Sequence, residues 1–152
     1  MLENSEIKIV ECNYWEREDA IKFLIKITSE EFGFAEWNNY FEHKLAQKYK
    51  IGNNKFWIAL NSENKIIGTC GALQESDKTI KMNCFYVDSK YRNSGIGKKF
   101  YDLFLEFAKK ENYKTIILCT FKEFDIAIKF YEKRGFGLYE TTEDEFWYKK
   151  EL

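Results

Sequence analysis

The sequence predicts an α/β (α+β) fold, in which a mixed and mostly antiparallel sheet of six or seven strands is flanked by about four helices. Short runs rich in β-branched and aromatic residues alternate with amphipathic segments whose apolar residues recur at helical spacing. The second half of the chain also contains a strand–helix–strand order that is typical of a parallel crossover. At 152 residues the chain has the length of one domain, so residues 1–152 are predicted to form a single domain.

The first half begins with a short strand and two helices. Ile7–Cys12 alternates weakly between apolar and polar residues, which predicts the first strand. Glu16–Phe32 carries apolar residues at helical spacing and is stopped by Gly33. Glu36–Tyr49 forms a second amphipathic helix, and the glycine and asparagines that follow it break the chain.

Strands then dominate, and each is bounded by polar turns. The predicted strands are Phe56–Leu60, Lys65–Leu73, Thr79–Val87, the buried β-branched run Thr115–Cys119, and a closing hairpin of Phe136–Glu140 and Glu145–Lys150. Two further helices are predicted between them, Ile96–Glu111 and Asp125–Arg134, the latter stopped by Gly135. The resulting order is β-α-α-β-β-β-α-β-α-β-β.

Composition excludes several functional classes. Hydrophobic residues make up 45% of the chain and charged residues 32%, which argues against disorder. The 24 basic and 25 acidic residues nearly cancel, whereas a dedicated nucleic-acid-binding domain is usually basic. No apolar run approaches the ~18 residues of a membrane span, and the first residues lack the pattern of a secretory signal. We therefore expect a cytoplasmic protein with neither nucleic acid nor membrane as a partner.

The cysteines do not form a metal or disulfide pattern. Cys12, Cys70, Cys84 and Cys119 include no C-x-x-C pair, and His43 has no cysteine close to it in sequence. We predict no metal site and four small buried thiols in a reducing compartment.

The most informative segment links the predicted strand that ends at Val87 to the helix that begins near Ile96. A helix N-terminus presents unpaired backbone N–H groups and a partial positive charge. Gly95 and Gly97 lack the Cβ atoms that would block access to those groups. Arg92, Lys98 and Lys99 add positive charge at the same point. The segment therefore predicts a site for a phosphate or a diphosphate.

Two well-known phosphate signatures do not fit this segment. In the G-x-x-x-x-G-K-[ST] pattern, Arg92 would replace the first glycine and Lys99 the final serine or threonine. In the G-x-G-x-x-G pattern of dinucleotide-binding folds, Phe100 occupies the third glycine position.

A third signature, R-x-x-G-x-G after a strand, fits Arg92–Gly97 fully. This segment resembles the acetyl-CoA loop of the GNAT superfamily of N-acetyltransferases. Ala127–Phe136 resembles the A-x-x-F-Y-E-K-x-G-F helix end of the same superfamily, and one helix and one strand separate the two motifs. The resemblance implies an acyl-CoA N-acyltransferase fold. It also implies an acyltransferase that moves an acetyl group from acetyl-CoA to a primary amine by direct attack in a ternary complex.

The resemblance assigns expected roles to particular residues. The strands Thr79–Val87 and Thr115–Cys119 are expected to splay apart and admit the pantetheine arm, which pairs with backbone groups of Phe85 and Val87. A backbone N–H near Phe85 would polarise the thioester carbonyl, and Tyr131 would protonate the departing thiolate as the catalytic acid. The diphosphate would be held by N–H groups of Arg92, Asn93, Ser94, Gly95, Ile96, Gly97 and Lys98.

The chain departs from the family pattern at two positions. Many members carry an acidic residue early on the fourth strand as a base acting through water, and here that position is Lys81, with Asn83 on the same face. Phe124 replaces an asparagine that often contacts the cofactor. The base is therefore open, and the acids considered for it are Glu31, Glu75 and Glu123, each of which also fits a solvated surface charge.

The acceptor side is expected opposite the cofactor, and the sequence does not identify the acceptor, which could be a small molecule, an amino acid, a peptide or a protein. Its candidate lining residues are aromatic: Phe32, Trp37, Phe85, Tyr139, Trp147 and Tyr148. Oligomeric state is also open, and a homodimer is the usual alternative to a monomer.

Alternatives remain at this stage. Tyr131 also fits a core aromatic, the charges at Lys98 and Lys99 also fit a solvated helix face, and Cys84 and Cys119 fit core thiols better than acetyl carriers. The main competing function is a non-catalytic acyl-CoA-binding sensor or interaction module, and nucleic-acid binding is the weakest alternative.

Overall fold

The computed structural model describes residues 6–33 and 38–152, and it confirms the predicted class of fold. The strands are β1 (Lys8–Glu11), β2 (Lys55–Leu60), β3 (Ile66–Gln74), β4 (Thr79–Val87), β5 (Thr115–Phe121), β6 (Gly137–Thr141) and β7 (Glu145–Glu151). The α-helices of the described residues are α1 (Glu18–Lys26), α2 (Leu45–Tyr49), α3 (Ile96–Lys110) and α4 (Asp125–Lys133). The element boundaries agree closely with the predicted ones from β2 onward.

The strands form one seven-stranded sheet in the order β1-β2-β3-β4-β5-β7-β6. Every neighbouring pair is antiparallel except β4 and β5, which are parallel. Two parallel strands cannot be joined by a tight turn, so α3 carries the chain back between them. This crossover places the start of α3 beside the end of β4.

Helices cover both faces of the sheet, and each face has its own core. On the first, here called the α3 face, α3 and α4 pack on the sheet, and the core includes Phe100 and Phe104 of α3 with Ile80, Ile116 and Leu118 of the strands. On the second, here called the α1 face, the helices near the start of the chain pack on β2 to β4 through Tyr14, Leu24, Leu45, Phe56 and Ile58.

The first two helices differ from their predicted form. A 3₁₀ turn at Tyr14–Glu16 precedes α1, and a π-helical turn at Ile27–Glu31 extends it. The buried Thr28 hydroxyl donates to the Leu24 carbonyl at 2.7 Å, a back-bond of the kind that bends helices. The predicted start of the second helix, at Glu36, lies outside the described residues, and a π-helical turn at Tyr40–Lys44 leads into α2.

The cysteine prediction is right for two residues of four. Cys70 and Cys84 are buried, whereas Cys12 and Cys119 are half-buried, and all are free thiols. Among the described residues no group of histidine, cysteine, aspartate and glutamate side chains could hold a metal ion. Nor does any helix of residues 6–33 and 38–152 have the length and apolar character that crossing a membrane requires.

Candidate active site

The central feature of the site is an opening between β4 and β5. These strands pair only at their first residues, where Thr79–Lys81 faces Thr115–Ile117. Beyond them β4 continues to Val87 while β5 stays paired with β7 along its whole length, so the rest of β4 has no partner strand on that side among the described residues. We call the space between Met82–Val87 and Leu118–Phe121 the interstrand gap. The expectation that these two strands splay apart is confirmed.

A β-bulge in β4 lies beside the gap. The register with β3 shifts between Asn83 and Tyr86, so that Cys84 and Phe85 both oppose Cys70. Cys84 adopts φ = +53°, an uncommon conformation for a residue other than glycine. The inserted residue also changes which residues of β4 point to the α3 face. Before the bulge Met82 packs on that face, and after it Phe85 does.

A side-chain hydrogen bond holds the bulge. The Thr69 hydroxyl, which is fully buried on β3, donates to the Cys84 carbonyl at 2.6 Å. A buried threonine satisfied in this way stabilises the unusual backbone at the next strand. The sequence offers no signal for this bulge, because neither Thr69 nor Cys84 is a residue that marks one.

Replacing Thr69 with valine is expected to lower the free energy of unfolding by about 1–2 kcal/mol, because it removes the donor to the Cys84 carbonyl at nearly constant volume. Denaturant unfolding measures the change. Thr120→Val is the matched control, since Thr120 is buried on β5 and makes no side-chain hydrogen bond within the described part of the chain. Equal losses in the two variants would contradict the assigned role of Thr69.

The backbone of β4 points its free groups into the gap at the expected residues. Asp88 donates its backbone N–H to Ile67 on β3 at 2.8 Å, and neighbouring strand residues direct these groups to opposite sides. Val87 and Phe85 therefore present theirs to the gap. The Val87 carbonyl already accepts a hydrogen bond from Arg92 Nε at 3.0 Å, and its second lone pair can accept another.

The loop before α3 carries a run of unpaired donors. None of the backbone N–H groups from Arg92 to Lys98 donates a hydrogen bond to another group of the described residues, and helical bonding begins with Lys99 N–H to the Gly95 carbonyl. Gly95 precedes the helix at φ = +90°, and Asn93 also has a positive φ of 64°. These turns aim consecutive N–H groups outward from the helix N-terminus, which is the geometry of an anion site.

The charged side chains of this loop are already paired. Arg92 forms an ion pair with Glu31, at the end of the π-helical turn that follows α1. Lys98 forms an ion pair with Asp102 at 2.8 Å along the helix. Glu31 is therefore not the solvated charge that the sequence suggested. The backbone N–H groups, rather than these side chains, are the available donors of the loop.

Tyr131 lies on α4, beside the gap. Its ring centroid is 6.3 Å from that of Phe85, and it packs in the core of the α3 face. Burial raises the pKa of its phenol well above the usual value. Its hydroxyl makes no hydrogen bond within the described residues, and no fully buried side-chain oxygen among them lacks a partner, so this hydroxyl reaches open space. A neutral phenol whose hydroxyl is not fully enclosed can donate a proton, and the contact with Phe85 keeps Tyr131 close to the gap.

The candidate acceptor-side residues separate onto two faces. Trp147 lies on the α1 face, where Lys81 Nζ sits 4.9 Å from its ring centroid. Phe32 packs on Phe124 at 4.8 Å between ring centroids and on Tyr86 at 6.1 Å. Tyr139 is 43% exposed on the edge strand β6.

Two further candidates pack on the α3 face, and one is not described. Tyr148 is only 2% exposed and packs in the core of the α3 face, as Phe85 does in part. The reason is strand alternation, since the neighbour Trp147 takes the opposite face of β7. Trp37 lies outside the described residues.

The thiols near the gap are not activated. Desolvation raises the pKa of Cys84 to about 12, against the opposing charge of Lys81. Desolvation likewise raises the pKa of Cys119 to about 12; Lys81 opposes this shift, and Glu145 and Glu75 add to it. Both thiols therefore stay protonated near neutral pH, which disfavours them as acetyl carriers. Of the acids considered as a base, Glu75 and Glu123 are exposed.

Comparison with known proteins finds one family. Residues 21–136 match the family model described as Acetyltransferase (GNAT) family. Human N-acetyltransferase 8B is 35% identical over 86 residues, which cover 53% of this chain and 37% of that protein. N-acetylaspartate synthetase of Danio rerio is 34% identical over 90 residues, covering 59% of this chain and 32% of that protein. The matched region thus spans about a third of the length of these curated relatives.

Solved structures agree in fold over nearly the whole chain. An acetyltransferase of the GNAT family from Staphylococcus aureus Mu50 is 28% identical and superposes with a TM-score of 0.82, covering 96% of this chain and 99% of that one. The PaiA N-acetyltransferase of Thermoplasma acidophilum, determined in complex with coenzyme A, has a TM-score of 0.79 over 96% of this chain and 99% of that one. At 20% identity, the second likeness concerns the fold alone.

Proposed function

The chain belongs to the acetyltransferase (GNAT) family, and on that premise we propose that it transfers an acetyl group from acetyl-CoA to a primary amine. One observation carries the proposal: consecutive unpaired N–H groups from Arg92 to Lys98 stand next to a gap in the sheet. Acetyl-CoA combines a diphosphate with an extended amide-bearing arm, and these two features need an anion site and a strand-like partner. The name N-acetylaspartate synthetase supports nitrogen as the acceptor atom.

Each part of the site has a task in this reaction. The N–H groups at the start of α3 hold the diphosphate, and Val87 and Phe85 pair with the pantetheine arm in the interstrand gap. The bulge leaves the Phe85 N–H facing the gap, where it stabilises the developing oxyanion of the thioester carbonyl. Tyr131 protonates the departing thiolate. The acceptor amine attacks directly, so no covalent enzyme intermediate forms.

The acceptor enters from the α1 face, where Lys81 and Trp147 lie. An amine with a pKa of about 10 is mostly protonated at neutral pH and must lose a proton before it attacks. Neither Glu31, Glu75 nor Glu123 is assigned as the base that removes this proton. In this proposal the amine loses its proton to solvent on the α1 face.

The proposal is tested by free thiol release from acetyl-CoA in the presence of a panel of amines, amino acids and peptides. We expect release that depends on both acetyl-CoA and one class of amine. A second candidate, an acyl-CoA-binding sensor, is favoured by Lys81 at the position where many relatives carry an acid. Saturable acetyl-CoA binding with no release across the panel would support that sensor and contradict the enzyme.

The pH dependence of the rate follows from the raised pKa of Tyr131. A general acid works only while protonated, and burial keeps this phenol protonated above the ordinary tyrosine pKa of about 10. The rate is therefore expected to rise with pH as the acceptor amine loses its proton, and to stay high to about pH 10.5. Initial rates between about pH 6 and 10.5 at saturating substrates measure this. A falling limb with an apparent pKa below about 10 would contradict the assignment.

A further inference from the structure

The acceptor side of the interstrand gap holds a cation without an anionic partner. Lys81 is half-buried on β4, at the last residue that pairs with β5. Within residues 6–33 and 38–152 Lys81 forms no ion pair, although the more exposed Lys65, Arg92 and Lys98 each form one. Partial burial of an unpaired charge is unfavourable. A ligand anion would compensate this charge.

The Lys81 side chain leans toward the open part of the gap. Lys81 pairs with Ile117, whereas the ring that its ammonium approaches belongs to Trp147, which pairs with Cys119. That level is two residues further along β5, a displacement of roughly 7 Å at the rise of a strand. The ammonium is thus directed toward the bulge and the Phe85 N–H.

Asn83 places a second donor on the same face. It lies two positions after Lys81, and strand residues two apart share a face. Its side-chain oxygen accepts a hydrogen bond from the Tyr49 hydroxyl at 2.5 Å, and Gly71 leaves the space for it, since a Cβ there would lie 1.9 Å from that hydroxyl. The Asn83 amide is therefore fixed with its NH₂ group away from Tyr49, and that group makes no hydrogen bond within the described residues.

Nearby acids do not neutralise Lys81. Glu75 and Glu145 are close enough to influence the Cys119 thiol, as Lys81 does, yet neither forms an ion pair with Lys81. Glu75 is exposed in the turn before β4. The region thus has a cationic end near the gap and acidic groups around it.

We propose that the amine acceptor carries a carboxylate, which Lys81 and Asn83 bind through an ammonium and an amide donor. Charge-assisted hydrogen bonds of this kind are about twice as strong as neutral ones. The inference rests on the proposed acetyl transfer and adds the class of acceptor. Lys81 is then a binding residue for the acceptor, which explains a lysine where many relatives carry an acid.

The geometry limits the size of the acceptor. The Lys81 ammonium lies near the level of Asn83, and because Cys84 and Phe85 both oppose Cys70, Phe85 is about one strand step beyond that level, or roughly 3.4 Å. The amine must reach the thioester carbon held near Phe85 while the carboxylate reaches Lys81. A short amino acid, with its amine and carboxylate a few ångströms apart, spans this distance.

Matched pairs of acceptors test the proposal. Free amino acids are compared with their amides (glycine with glycinamide, leucine with leucinamide, β-alanine with β-alaninamide) by thiol release from acetyl-CoA, with rates corrected for the fraction of neutral amine. For at least one pair we expect a kcat/KM at least about tenfold higher for the acid, mainly through KM. Lys81→Met is expected to remove the preference, and Lys81→Arg to keep part of it.

Lys78→Met is the matched control, because Lys78 is an exposed lysine that lies just before β4, three residues from Lys81. Its acid-to-amide ratio should equal that of the wild type, and acetyl-CoA affinity should be the same in all variants. Equal rates for acids and amides, or an unchanged ratio in Lys81→Met, would overturn the inference while leaving acetyl transfer intact. No thiol release with any amine would instead overturn the proposed function.

Discussion

Replacing Gly95 with valine is expected to weaken acetyl-CoA binding by roughly 10- to 100-fold, which corresponds to the loss of about one charge-assisted hydrogen bond. Gly95 has φ = +90°, a conformation that costs a β-branched residue about 1–2 kcal/mol or more. A Cβ there meets no atom of residues 6–33 and 38–152 within 4 Å, so the effect arises from the backbone rather than from a clash with these residues. The turn relaxes and its N–H groups no longer converge. Calorimetric titration with acetyl-CoA measures the change.

Gly33→Val is the control for this variant. Gly33 has a similar φ of +78°, and no atom of the described residues lies within 4 Å of an added Cβ, but it lies outside the loop that begins α3. Both variants should therefore lose comparable thermal stability. Only Gly95→Val should lose affinity for acetyl-CoA. Equal affinities in the two variants would show that the loop does not hold the coenzyme.

Tyr131→Phe is expected to lower kcat by about 100-fold while acetyl-CoA affinity stays within about twofold. General acids contribute about 10²–10⁴-fold, and the low end applies because a thiol with a pKa near 8.5 is already a fair leaving group. The phenyl ring preserves the packing against Phe85 and Phe136, so folding should be nearly unchanged. Steady-state rates and calorimetry on the same preparation separate the two effects.

Tyr148→Phe provides the comparison for the loss of a hydroxyl. Tyr148 is buried in the same core at 2% exposure, yet it belongs to β7 rather than to the wall of the gap. Its kcat should remain within about twofold of the wild type. If Tyr131→Phe behaved in the same way, Tyr131 would be a core aromatic with no catalytic role.

The parts of the fold that the sequence predicts well are those with local causes. Gly95 lies immediately before α3 in a strand–loop–helix segment, and the motif Ala127–Phe136 ends a helix at a glycine, so both can be predicted from short stretches of sequence. The strand Thr79–Val87 was predicted with its observed bounds because its apolar residues alternate between turns. These features also identify the family, since they carry its two motifs.

The parts that the sequence predicts poorly depend on partners far along the chain. The bulge at Cys84 is fixed by Thr69 on the next strand, and no glycine marks it. Which of Trp147 and Tyr148 faces the α1 side of the sheet depends on the register of β7 against β5. A slip of one residue would turn each side chain to the other face. The ion pair of Glu31 with Arg92 joins residues that are more than sixty positions apart in the sequence. Neither residue alone indicates its partner, so this pair is not predictable from the sequence.

The central claim is that the N–H groups from Arg92 to Lys98 bind the diphosphate of acetyl-CoA. It is tested most directly by following the backbone amide signals in a ¹H–¹⁵N NMR titration with acetyl-CoA, using S-acetylpantetheine, which lacks the diphosphate, as the comparison ligand. We predict saturable downfield shifts that are largest for residues 92–98 with acetyl-CoA and absent from these residues with S-acetylpantetheine. Saturation with acetyl-CoA that leaves the signals of residues 92–98 unmoved would contradict the account.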